Sequence, residues 1–508
     1  MMRNLICLLL ALICVIFHFP VSVCAEEQVA GLISSEEIVT DYTGFSSLHY
    51  LFDQNEYDHK ITEPVSHLTL YHADGIGSLY LIFAKTYGAY TLVNNDTGSE
   101  ITAGENLYLH ELLDLTELFG EIPVSVTLRF ETGAVALNEL YVYGAGSVPD
   151  HVQKWESPAD GKTDLVLFSA HSDDDQLYFA GILPYYAVER GYRVQVVYLT
   201  DHWNVSRIRV HEALDGLWAV GIRAYPVFGP YADFNCGDVN KAYQRFQEDG
   251  YSREQMTGFV VEQLRRFKPL VIVGHDFNGE YGHVQHKVYA QLLADAVNIS
   301  ADPLAYPVTA EKYGIWDVPK TYIHLYEENQ IYMDWDKPME SFGGKTPYEV
   351  ARDIGFPAHR SQHKDWSHFF NPKTAADIFW HSPCKYGLYR TTVGADVAGG
   401  DFYENLISYG EQERLAAEEA ARLAEEEAAR IAAEEAQRAA EEAQRLAEEQ
   451  AAQASEESQK ADTEPTEEPT KNVPPVVKRL GVWLIWIGLA GFLVILRMTT
   501  KYHGKFAR

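Results

Sequence analysis

The chain has 508 residues, 46% of them hydrophobic, and a formal net charge of −32. That length exceeds one ordinary domain and the apolar content is ample for a core, so two folded units plus accessory segments are expected. Most of the charge, about −27, falls on residues 26–410, a surface that repels phosphodiester polymers and argues against nucleic acid as a partner.

In chain order, residues 1–25 carry Arg3, the apolar run "LICLLLALICVIF" and small residues at Val23 and Ala25, the pattern of a cleaved secretory signal. Cys7, Cys14 and Cys24 leave with it. Cys236 and Cys384 remain, enough for one optional bridge and too few for a disulfide framework. Residues 34–150 hold short alternating runs such as "GSLYLIFA", "AYTLVNN", "PVSVTLRF" and "LNELYVYG", separated by turn-formers in "HADGIG", "NNDTGSE" and "ETGA". Regular short strands with little helix predict a β-sandwich.

Over residues 160–408 the period changes. "TDLVLFSA", "YRVQVVYLT" and "LVIVGHD" read as apolar strands, and "DQLYFAGILPYYAVERG", "RIRVHEALDGLWAVGI", "SREQMTGFVVEQLRRFKP" and "HVQHKVYAQLLADAVN" as amphipathic helices. The alternation predicts an α/β fold, a Rossmann-like parallel sheet with helices on both faces. Ligands of such sheets sit beyond the carboxyl ends of the strands, where His171 and His275 fall.

Residues 411–460 collapse to Ala, Glu, Arg and Gln, with Glu418–Arg422, Glu426–Arg430, Glu434–Arg438 and Glu441–Arg445 at i,i+4. Leu415, Leu423 and Ile431 recur every eight residues and drift around a helix, so the segment reads as a solvated helical stalk, with a coiled-coil dimer as the alternative. The oligomeric state is thus monomer or stalk-mediated dimer. Residues 461–477 ("TEPTEEPTKNVPP") form a tether. Within residues 478–497, "LGVWLIWIGLAGFLVIL" is uncharged and about 26 Å long as a helix, the pattern of one transmembrane helix, with residues 498–508 as a short basic tail. The expected placement is a single-pass cell-membrane protein, bulk outside and C-terminus in the cytoplasm.

Two clusters carry the chemistry. "AHSDDDQ" puts His171, Asp173, Asp174 and Asp175 at a strand end, with ligand types that a divalent metal accepts; the bland reading is a helix cap at Ser172 or Asp173. "GHDFNGEYGHVQHKVYAQLL" puts His283 and His286 on one face at a helix start, after another apolar strand. Both clusters therefore project from one edge of one sheet. Arg209 and Glu212 open a third helix, where Arg209 could hold a substrate oxygen or simply pair with an acid at the surface. His275 and Asp276 could be ligands or loop supports, His359 in "AHRSQ" could line the pocket, and His324 reads as a strand residue.

These motifs resemble the PIG-L or LmbE-like zinc deacetylases, which remove acetyl groups from N-acetylglucosamine-type amides. "AHSDDD" is similar to the family's Ala-His-Pro-Asp-Asp-Glu, "RVHEALDGLWAVGI" to its Arg-x-x-Glu-Ala helix, and "NGEYGHVQH" to its Tyr-Gly-His-x-x-His; "AHRSQ" resembles a fourth motif. The resemblance implies Zn2+ bound by His171, Asp174 and His286, Asp173 as general base, His283 as proton donor, Tyr281 as oxyanion partner and Arg209 as substrate contact. Ser172, Asp175 and Gln285 depart from the family pattern, and Gln285 can orient a ligand by hydrogen bonding but cannot share a proton. The N-terminal strands loosely resemble discoidin-like, galactose-binding sandwiches, with a purely structural role as the other reading.

The implied function is a membrane-anchored extracellular zinc hydrolase that deacetylates N-acetylglucosamine-type sugars of a surface glycan or glycolipid. The competing readings are an inactive sugar-binding surface protein and a zinc amidase acting on a non-sugar amide.

Overall fold

The computed structural model describes residues 29–158, 160–201, 207–362 and 366–461, with side chains to 456. The chain divides into a unit ending at Ala417 and a second beginning at Glu418.

Within the first unit the N-terminal strands are β1 (Val39–Thr43), β2 (Lys60–Ile61), β3 (Ser66–Tyr71), β4 (Ser78–Phe83), β5 (Tyr90–Asn94), β6 (Ser99–Ala103), β7 (His110–Asp114), β8 (Ser125–Phe130) and β9 (Ala136–Tyr143). They form antiparallel sheets of order β1-β3-β8-β5-β6 and β2-β9-β4-β7. Alternation decides which face is buried. Leu68 and Leu70 of β3, and Val126, Leu128 and Phe130 of β8, enter the same core as Leu79, Leu81 and Phe83 of β4. The opposite face of β4 is buried too: Tyr80 and Ile82 pack with Tyr143 and Val152, where the chain leads into the α/β region.

The second sheet system comprises β10 (Leu165–Ser169), β11 (Val194–Asp201), β12 (Val227–Ala232), β13 (Val271–Gly274), β14 (Lys320–His324), β15 (Gln330–Tyr332) and β16 (Lys385–Thr391), in the order β12-β11-β10-β13-β14-β16-β15. Strands β10 to β14 pair in parallel, as expected from their continuous apolar runs. β16 runs antiparallel to β14 and β15, so the sheet is mixed and the wholly parallel expectation is corrected. Between β14 and β16 the described helical residues include one continuous run, Pro347–Ala358, built of α, π and 3-10 turns.

β10 is buried on both faces: Leu165 and Leu167 join one core, Val166 and Phe168 the other. Helix α2 (Ile208–Ala219) covers the first face through Val210, Ala213, Leu214 and Leu217. Helices α4 (Arg253–Phe267) and α5 (Val284–Ile299) cover the second through Val260, Leu264, Val288 and Leu292, with α3 (Val239–Glu248) beside them through Phe246. Each fully buried Leu or Val contributes about 1.5–3 kcal/mol.

The long helix expected after Asp173 is broken. Helix α1 (Asp174–Leu177) is short, and a π-helical turn, Pro184–Glu189, follows. Gly181 separates them at φ +96, and a Cβ there would stand 2.6 Å from the Trp335 ring, so both the backbone angle and the packing require glycine.

Two further expectations change. Cys236 and Cys384 are free thiols rather than a bridge. No helix among the described residues is long and apolar enough to cross a membrane, and the single-pass membrane placement is corrected accordingly. The expected signal at residues 1–25, the segment at 478–497, the tail at 498–508 and nearly all of the tether lie outside the described residues.

In the second unit, helix α6 (Tyr409–Ala461) continues from Glu418 with its described side chains exposed, Leu423 and Ile431 among them. Arg422 pairs with Glu419 and Glu426, and Arg430 with Glu427.

Candidate metal centre

β10 has β11 on one side and β13 on the other, so successive connections leave it in opposite directions and open a crevice at the strand ends. His171 stands two residues past β10, Asp174 is the first residue of α1, and His286 lies in the first turn of α5. The tight exit from β10 lets the His171 backbone N–H donate to Asp174 Oδ2 at 2.9 Å, which fixes the carboxylate. His171 Nδ1 and Asp174 Oδ2 are 3.0 Å apart, His286 Nε2 and Asp174 Oδ2 3.2 Å, and His286 Nε2 and His171 Nδ1 3.2 Å. Three donor atoms from distant parts of the chain thus form a near-equilateral triangle. Ligand atoms on a tetrahedral ion at about 2.0–2.1 Å stand about 3.3 Å apart, so the donor set fits a small divalent ion of borderline softness.

The outer nitrogens agree with this assignment. His171 Nε2 faces Gln285 Oε1 and Asp233 Oδ1, both at 3.3 Å. Gln285 is itself held by donating to Ala232 O at 2.7 Å. His286 Nδ1 donates to Glu280 Oε2 at 2.7 Å. Each ring nitrogen that turns away from the triangle has an acceptor, which leaves the lone pairs of His171 Nδ1 and His286 Nε2 for the centre. Burial opposes charge on Asp174 but is outweighed by His286 and His171, which in their protonated forms hold its carboxyl well below the usual range; a divalent ion would replace the protons on those two nitrogens.

Among the described residues two groups of three have donor atoms within 4.8 Å of one another, His171/His283/His286 and Asp174/His275/His286. His275 is the weaker candidate, because its Nε2 already accepts the Ala170 N–H at 2.8 Å while its Nδ1 donates to Glu280 Oε2 at 2.8 Å. It braces β10 against β13. Glu280, fully buried, also binds His324 Nδ1 at 2.6 Å and the Asp276 N–H at 3.2 Å, so one carboxylate gathers three histidines. Glu280 stands inside the "NGEYGHVQH" motif with no local pattern to mark this role, and His324 lies in a strand as its sequence predicts.

The three adjacent aspartates avoid mutual repulsion by taking different partners. Asp173 Oδ1 accepts from Arg209 Nη2 at 2.8 Å. Asp174 faces the imidazoles. Asp175 accepts from Gln176 at 2.7 Å and is pushed well above the carboxylate range by burial. Arg209 is therefore no surface residue: it is 7% exposed, bound to Asp173, and 3.7 Å from Asp233. Glu212 pairs elsewhere, accepting from Ser361 N and Oγ at 2.7 and 2.6 Å. Asp233, in the loop after β12, carried no pattern that a sequence reading could find.

His283 stands at the N-cap position of α5 beside the triangle, its ring centroid 5.0 Å from that of His171, and its Nδ1 has no partner among the described residues. Burial, with His171 and His286 nearby, holds it down at about 3. Tyr281 is 55% exposed at φ +44, its ring 5.7 Å from that of His286, and its N–H donates to His381 Nε2 at 2.9 Å. His359 is buried against Gly216 of α2.

Residues 166–297 match the family described as PIG-L: GlcNAc-PI de-N-acetylase. A 1D-myo-inositol 2-acetamido-2-deoxy-alpha-D-glucopyranoside deacetylase of Mycobacterium leprae is 29% identical over 183 residues, 31% of this chain and 58% of the relative. A deacetylase 2 of the same description from Saccharopolyspora erythraea is 38% identical over 179 residues, 31% and 63% of the two chains. The chain thus spans about three fifths of the length of these curated relatives. N,N'-diacetylchitobiose deacetylase from Pyrococcus horikoshii aligns over 45% of this chain and 83% of its own, at 16% identity and a TM-score of 0.31.

Proposed function

We propose that the domain matching the PIG-L family is a zinc-dependent N-deacetylase acting on an N-acetylglucosamine-type amino sugar. The observation that carries this reading is the donor triangle of His171, Asp174 and His286, with sides of 3.0–3.2 Å. A zinc ion bound there would supply Lewis acidity toward the amide carbonyl and make water nucleophilic at neutral pH. The relatives' names, which specify a 2-acetamido-2-deoxy-glucopyranoside, support the substrate class.

Asp173 is the general base: adjacent to the triangle and spare of it, it takes the proton of the attacking water. Arg209, bonded to Asp173 at 2.8 Å, aims that carboxylate and can reach a substrate oxygen from the same position. His283, with a ring nitrogen that has no partner among the described residues, faces the developing oxyanion and the leaving amine, and Tyr281 offers a phenol on the same side. The departing amine needs one proton, and Asp173, which took one from the water, returns it.

The test is acetate release from N-acetylglucosaminides and their oligomers by the full chain, with zinc, after chelation and after zinc is restored. Asp173→Asn should lower turnover by about 10²–10⁴-fold with metal content unchanged. Stoichiometric zinc with no acetate from any of these sugars would defeat the reading in favour of a binding protein or an amidase for a different amide.

A further inference from the structure

Phe379 and Trp380 are consecutive and face solvent, 87% and 67% exposed. Their rings lie 6.0 Å apart at 79°. Large aromatic side chains are rarely left so bare in pairs, because each exposes apolar area that a fold would normally bury.

Their place in the chain connects them to the crevice. The next residue, His381, takes a left-handed conformation at φ +53, and its Nε2 accepts the N–H of Tyr281, itself left-handed. A non-glycine residue in that region is strained, so two strained turns are tied together at the rim. The His381 ring is 6.0 Å from the Tyr178 ring, which is 5.9 Å from the ring of His286. Trp366 stands 6.2 Å from Tyr178 and 6.3 Å from Tyr281. Rings therefore run outward from a metal donor through Tyr178 and Tyr281 to His381, and the bare pair follows at the next Cα positions, about 3.8 Å per residue.

We propose that Phe379 and Trp380 form a subsite for the sugar ring next to the acetamido sugar, so that the favoured substrate is a glycan of two or more residues. This rests on the deacetylase reading above and names the substrate's extent. A pyranose in its chair form presents axial C–H groups on a flat apolar face while its hydroxyls point outward. An aromatic ring can cover that face without stripping water from the hydroxyls. The alternative occupant, a lipid surface, is disfavoured by the acidity of residues 26–410, which repels anionic headgroups.

The experiment compares the full chain with its Phe379→Ala/Trp380→Ala variant on methyl N-acetylglucosaminide and on tetra-N-acetylchitotetraose. The variant should lose about tenfold in kcat/KM on the tetramer, through KM, and keep its rate on the monosaccharide. Equal losses on both, or none on either, overturn the subsite. If neither sugar releases acetate, the deacetylase reading has failed, and calorimetric binding of the tetramer decides the subsite by itself. Weaker binding by the variant upholds it and unchanged binding removes it. Sedimentation with phosphatidylcholine vesicles that the variant loses, with sugar binding intact, assigns the pair to a membrane and also overturns it.

Discussion

Among the described residues, the first unit offers two histidine clusters for comparison, and of these two only one is suited to hold a metal. At the strand ends His171 and His286 point their lone pairs at a shared centre, with Asp174 completing the triangle. At the seam between β4, β7 and α2, His110 Nε2 and His211 Nδ1 bond each other at 2.8 Å, while His110 Nδ1 takes the Tyr80 hydroxyl at 3.0 Å. Asp215 is near but 3.9 Å from His110 Nδ1, and among the described residues His211 Nε2 has neither a carboxylate behind it nor any other partner. Burial, then the neighbouring imidazole of His211, lowers His110 well below the usual histidine range. Burial, then His59, lowers His211 to about 4. The seam thus holds two neutral rings joined by one hydrogen bond. Residue type is shared between the clusters; what differs is whether a carboxylate behind each ring turns the other nitrogen outward toward a common point.

The most severe way to break this contrast is Asp174→Asn, set beside His211→Ala. The first keeps the volume and removes the charge that joins the two imidazoles. Zinc in the purified protein should fall from near one per chain to a small fraction, a loss beyond the 10–100-fold typical of an outer partner. His211→Ala should leave zinc content unchanged. Mass-spectrometric metal analysis decides it, with circular dichroism as the folding control. Equal zinc in Asp174→Asn and wild type would erase the distinction drawn between the clusters.

A finer test is Glu280→Gln. The amide is nearly isosteric but cannot offer full negative charge to His275, His286 and His324 together, so His286 loses the partner that fixes its tautomer. Zinc affinity, read by competition with a chromogenic chelator, should weaken about 10–100-fold. An unchanged affinity would mean that Glu280 braces the loop without tuning the ligand.

How legible all this was from sequence follows from the range of each interaction. β10, β11 and β13 announce themselves because strands buried on both faces need continuous apolar runs. His171, Asp174 and His286 were visible because two of them share a five-residue stretch and the third opens a helix, with the family resemblance assigning their roles. Glu280 was not, since a lone acid in a polar loop looks the same whether it faces water or three imidazoles. Asp233 lies in a loop and Arg209 on α2, and their contacts at the strand ends join segments remote in the chain, which no local pattern encodes. The antiparallel edge at β15 and β16 was missed for a related reason: strand direction is set by pairing across the sheet, and β15, only Gln330–Tyr332, is too short to carry a periodic signal.

The smallest expected effect probes the seam. Asp215 accepts from Gln153 Nε2 at 2.7 Å. Burial, followed by the charge of Glu56, raises its carboxyl from 3.8 to about 7. As pH rises from about 4, the unfolded chain releases this proton while the folded chain keeps it until about 7. The unfolded state then binds fewer protons, so stability falls across that window and levels off above it. Asparagine can still accept the Gln153 bond and has no proton to lose. Relative to wild type, Asp215→Asn should therefore gain stability between about pH 5 and about pH 7.5, measured as the difference in urea midpoints. The gain should be modest, because 24% of the side chain's surface remains in solvent. A difference that does not vary with pH would show that the seam carries no titrating carboxyl, and that the contrast with the strand-end cluster lies in geometry alone.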